Sequence, residues 1–82
     1  MSKFDKLVEK FLRKPPEVSF NDVVKILEAF GYTEKDSGSG SHRVFTKQNN
    51  YPIVVPVIKG RMVKRDYVKM IIDRLGLEER NG

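Results

Sequence analysis

Apolar residues near the N-terminus fall at Phe4, Leu7, Val8, Phe11 and Leu12, a spacing that lines one face of a helix over residues 3 to 14. Ser2 is placed to cap it, with Asp5 in its first turn. Pro15-Pro16 ends it, since proline lacks an amide donor and restricts the residue before it. The period repeats from about Phe20 to Phe30, where Phe20, Val23, Val24, Leu27 and Phe30 share a face. Ser19 stands at the N-cap position with Asp22 three residues on, and Gly31 suits a left-handed C-terminus.

The period then changes. Tyr32 to about Asp36 reads as a short polar edge strand, followed by the loop composition SGSGS. HRVFTK alternates as a strand does, and KQNNYP is a turn in which Asn49-Asn50 tolerates left-handed backbone. IVVPVI has the strongest strand propensity in the chain, with Pro56 marking an edge or a bulge. Val68, Ile71, Ile72 and Leu75 mark a last helix from about Val63 to Leu75. Gly76 and Leu77 match a glycine cap and its hydrophobic contact, and the residues after them read as a frayed tail.

The order helix, helix, three strands, helix predicts an α+β fold, a small antiparallel sheet with helices on one face. At 82 residues the chain has room for one domain, with a modest core. Its first sixteen residues form an accessory helix, residues 17–78 the core, and 79–82 the tail. No apolar run approaches the roughly 20 residues that span a bilayer, and the charged N-terminus lacks the apolar centre of a secretory signal. These features, with the absence of cysteine, fit a cytoplasmic protein without disulfides or thiolate metal sites.

The net charge of +5 is unevenly distributed. Residues 1–41 balance seven basic against seven acidic residues; residues 42–74 carry eight basic residues against Asp66 and Asp73, a net +6. Such a bias fits either an anionic partner or a solvated basic face. The single histidine, His42, directly follows Gly40-Ser41 and opens the first strong strand. It is either an exposed residue of a flexible turn or a proton-transfer group in an accessible loop. One histidine with no adjacent carboxylate pair makes no transition-metal site. Ser41 is a poor nucleophile candidate, because in an extended run His42 points to the opposite face.

From Ser19 to Leu77 the chain resembles the HicA family of toxins. The resemblance rests on a short helix ending in FGY, a polar strand, and GSH at Gly40-Ser41-His42. RVF, a β-rich stretch ending at Pro56, the basic connector KGRMVKRD and the closing helix YVKMIIDRLGL complete it. It implies a core like that of double-stranded-RNA-binding domains, αβββα, here with one extra N-terminal helix. It implies a ribosome-independent and metal-independent mRNA endoribonuclease that needs no cofactor, acts on single-stranded RNA, and is neutralised by a HicB-type antitoxin. In that reading His42 is catalytic, and Gly40 and Ser41 form its positioning loop.

Metal-free cleavage deprotonates a 2′-hydroxyl, stabilises the phosphate charge and protonates the leaving 5′-oxygen. Histidine suits the proton steps because imidazole ordinarily titrates near neutral pH. Arg43, Lys47, Lys59, Arg61 and Lys64 are the candidate phosphate contacts, arginine being capable of bidentate binding. Amides of the Gly38–Gly40 loop would add an anion-binding concavity. Tyr51 and Tyr67 are candidates for base stacking, whereas Phe45 reads as core. The alternative is an RNA-binding module of the same fold without catalysis.

Overall fold

The first helix, α1 (Lys3–Leu12), ends two residues before the expected limit. Lys14 turns to a left-handed φ of 52° as its amide donates to the Phe11 carbonyl, 2.9 Å away. The cause is local: Pro15 disfavours helical backbone at residue 14. A computed structural model of the chain describes residues 3–35 and 41–80. The expected Ser2 cap, Asp36 and the first four residues of the SGSGS loop, Gly40 included, lie outside the described residues.

After the prolines, residues 17–19 form β1 (Glu17–Ser19), a strand that pattern analysis did not anticipate. It pairs antiparallel with β5 (Met62–Lys64), placing Val18 opposite Val63, both fully buried. The last long helix, α3 (Arg65–Leu75), therefore begins two residues later than its apolar stripe suggested, because Val63 serves this strand pair. Ser19 doubles as the cap of α2 (Phe20–Ala29), its Oγ accepting from the Asp22 amide at 3.2 Å. Gly31 takes the left-handed conformation expected after this helix, at φ 92°.

The three-stranded antiparallel sheet comprises β2 (Thr33–Lys35), β3 (His42–Thr46) and β4 (Ile53–Pro56), with β3 in the middle. Pro56 is on an edge strand, as a missing amide requires. Phe45, Ile53 and Val55 point inward and are fully buried, whereas Val54 on the other face is 44% exposed. The inward face shares one core with Val23, Ile26 and Leu27 of α2, and with Val68, Ile71 and Ile72 of α3. Each such fully buried side chain is worth about 1.5–3 kcal/mol. The fold is thus α+β, with a three-stranded antiparallel sheet and helices on its inner face.

Helix α1 packs on α2 and α3 and also on α4 (Leu77–Arg80). Its Phe11 is fully buried and Val8 nearly so. The tail expected to fray from residue 79 is helical to Arg80, and Leu77 at its start is fully buried beyond the left-handed Gly76 cap.

Candidate functional site

Strand alternation sorts the candidate residues before any distance is measured. His42, Val44 and Thr46 share the outward face of β3; Arg43 and Phe45 face the helices. His42 lies opposite Pro56, and the Val57 amide donates to the Ser41 carbonyl at 2.7 Å, so the chain leaving β4 stays beside the histidine. Ser41 sits in a bend just before the strand, not in extended backbone. Its Oγ therefore folds back to 3.3 Å from His42 Nδ1, a contact that continuous extended strand would have prevented. The contact favours an imidazole orientation with Nε2 away from the serine. His42 is exposed.

Arg43 is on the other side of the strand. Its Nη1 lies 3.2 Å from Glu34 Oε2, and its guanidinium stands 5.5 Å from the centroid of the Phe20 ring. Arg61 reaches the same ring, also at 5.5 Å, and its carbonyl accepts from the Phe20 amide at 2.8 Å. Residue 61 holds a left-handed φ of 57° in the turn between Ile58 and Met62, which are bridged to each other. Two cations on one buried ring thus tie the β4–β5 turn to the His42 end of the sheet, each contact worth about 0.5–1 kcal/mol at such a site. Lys59 projects from this turn and is exposed.

The structure does not bring the other two predicted cations to the histidine. Lys47 follows the far end of β3, five residues or roughly 16 Å along extended chain from His42. There its Nζ stands 5.6 Å from the Tyr32 ring centroid. Lys64 belongs to the two-stranded sheet, opposite Glu17. The amide of the next residue, Arg65, donates to the Pro16 carbonyl at 2.9 Å, so the first amide of α3 is already engaged.

One cation escaped the sequence reading. Lys35 in β2 lies directly opposite Val44, on the outward face that carries His42. Diagonal neighbours across adjacent strands stand roughly 7–8 Å apart, within reach of a lysine side chain. Its signal was present in the alternation of Thr33, Glu34 and Lys35, but only the strand register says which of them shares a face with His42. Of the aromatic candidates, Phe45 is core, Tyr67 is half-buried and Tyr51 is 84% exposed at the Lys47 end.

On this outward face Lys35, His42 and Val54 are exposed. Two grooves lie elsewhere, one between α1 and α2 and one around Pro16, Glu17 and Lys64 to Asp66. No three His, Asp or Glu side chains among the described residues are grouped so as to hold a metal ion. A histidine on an exposed strand beside a basic turn suits an extended polymer better than a small molecule, which needs enclosure.

Residues 20–77 match the family model of the HicA toxin of bacterial toxin–antitoxin systems. The chain belongs to the HicA toxin family. Membership makes it the toxin of a toxin–antitoxin pair and gives it an antitoxin partner. The match begins at Phe20, so α1 and β1 of this HicA-type toxin precede the matched segment. No curated protein and no solved structure matches the chain. No described helix is long and apolar enough to cross a membrane.

Proposed function

We propose that this toxin is a metal-independent, ribosome-independent endoribonuclease acting on single-stranded mRNA in the cytoplasm, with His42 as its catalytic residue and a HicB-type protein as its antitoxin. The observation that carries the proposal is the placement of His42, exposed on the sheet's outward face with Nδ1 beside Ser41 Oγ. In the base form Nδ1 donates its proton to Ser41 Oγ and Nε2 is the nitrogen that accepts a proton. Nε2 takes the proton of a ribose 2′-hydroxyl as that oxygen attacks the adjacent phosphorus. The bond from phosphorus to the 5′-oxygen then breaks. The 5′-oxygen leaves as a hydroxyl after taking a proton from the imidazolium or from water, and the other product ends in a 2′,3′-cyclic phosphate. A general base of this kind contributes about 10²–10⁴-fold.

The basic residues divide the remaining work. Lys35 shares the histidine's face and Lys59 the adjoining turn, so these two meet the phosphates around the scissile bond. Arg61 and Arg43 hold the turn against Phe20 and keep the potential at this end positive. Lys47, Tyr51 and Lys64 lie further out, where they would bind flanking nucleotides. Ser41, with Gly40 before it, positions the ring. Cleavage of a labelled single-stranded RNA in the presence of a chelator, by wild type beside His42→Ala, tests the proposal. Cleavage by wild type alone, with 5′-hydroxyl products, is the expected result. Binding without cleavage by either protein would assign the same surface to a non-catalytic RNA-binding module.

A further inference from the structure

The N-terminal helix does more than cover the core. Between α1 and α2 lies a groove of about 560 Å³ lined by Phe4, Leu7 and Ala29 and by Lys3, Lys6, Lys10, Lys25 and Asp22. Its apolar lining is Phe4, Leu7 and Ala29, and its charged lining is four lysines against one aspartate, a net +3. Lys3, Lys6 and Lys10 follow one another at i, i+3 and i+7, a ridge of like charge that an isolated helix disfavours. Among the described residues only one of the four lysines has a carboxylate within ion-pair distance: Lys10, 2.6 Å from Asp22. Five of the eight lining residues belong to α1, outside the segment matched to the toxin family.

We infer that this groove is a docking site for an acidic amphipathic helical segment of the antitoxin. An apolar trough between two helices accepts the apolar face of a third, read as i, i+3, i+4 anchors. The lysine rim selects acidic flanks and steers their approach. The positive lining, which an acidic segment complements, and the family's antitoxin partner together name the occupant. RNA is the weaker fit. The one aromatic ring in the lining, Phe4, is half-buried and packs at 5.8 Å on Phe30, leaving no open stacking platform for bases. The groove lies on the helical side of the molecule and His42 on the solvent face of the sheet. A segment seated here thus anchors the antitoxin without entering the catalytic face, and the inference does not depend on the ribonuclease reading.

The probe is a synthetic amphipathic peptide with leucines at i, i+3, i+4 spacing and glutamates elsewhere, titrated into the full-length protein while amide chemical shifts are followed. Two variants test it: Lys3→Glu/Lys6→Glu/Lys25→Glu, which reverses the rim, and Ala29→Trp, which fills the trough from an exposed position and keeps the charge. The expected result is a set of shifts confined to α1 and α2 in wild type, with binding at least about tenfold weaker in each variant. A peptide with serines in place of the leucines is expected to bind at least tenfold more weakly too. Shifts centred on the His42 face, or wild-type affinity in both variants, would overturn the inference. So would equal binding of the serine peptide, which would reduce the effect to general charge attraction, or displacement of the peptide by a single-stranded RNA.

Discussion

Replacing Phe11 with alanine asks whether α1 is an appendage or part of the fold. The family match starts nine residues after Phe11, which would suit an accessory helix. The packing argues otherwise, since Phe11 is fully buried in the same cluster as Phe45 and Leu77. Truncating a fully buried phenylalanine to alanine costs about 3–5 kcal/mol. A domain of this size has a total stability of about 4–12 kcal/mol at typical per-residue values. One side chain outside the matched segment therefore carries between a quarter and the whole of the margin. For a domain of 60–100 residues each kcal/mol moves Tm by about 4–8 °C, so Phe11→Ala should lower Tm by at least about 12 °C. Far-UV circular dichroism on heating measures it, with Lys6→Ala on the exposed side of the same helix as control. A Phe11→Ala shift below about 4 °C would refute the reasoning and return α1 to the status of an ornament. The same packing predicts that a fragment beginning at residue 17 melts far below the full chain.

The remaining predictions concern the outward face. Lys35→Ala should lower RNA cleavage about 10–100-fold, the worth of one charge-assisted contact, at unchanged Tm. Lys47→Ala, roughly 16 Å along the strand from His42, should cost less than about threefold; equal losses from the two would disprove the assignment of phosphate contact by strand face. Binding of single-stranded RNA to His42→Ala should weaken with salt at a slope of about −3, from contacts by Lys35 and Lys59 and, on flanking nucleotides, Lys47 and Lys64, at about −0.7 each. A flat response would show that the basic surface does not hold phosphates.

Much of the fold was legible because its signals are local. The stripe from Phe4 to Leu12, the Ser19 cap, Gly31 at φ 92° and the left-handed Gly76 each depend on a few neighbouring residues, and each stands where the pattern put it. The two-stranded sheet was not legible for the opposite reason. Glu17–Ser19 and Met62–Lys64 are three residues each, too short for a period, and they recognise each other across more than forty residues. Val63 looked like the first apolar turn of a helix because only its partner Val18 shows that it is strand. The site was half legible. Order along the chain marked His42 and the turn holding Lys59 and Arg61, which the sheet does bring to one end. Alternation alone separates His42 from Arg43, yet the inward turn of Arg43 became definite only with Glu34 and Phe20 as its neighbours. Lys35 needed the register between β2 and β3, which no single strand carries.

The measurement that bears most directly on the central claim is the rate of cleavage of a labelled single-stranded RNA in chelator by wild type and by His42→Ala, with both proteins shown to be folded. The exposed imidazole should account for at least about a hundredfold of the rate, so wild type should cut and leave 5′-hydroxyl ends while the variant loses that factor. Cleavage by His42→Ala at the wild-type rate would contradict the account, because the chain holds no other histidine to move the proton.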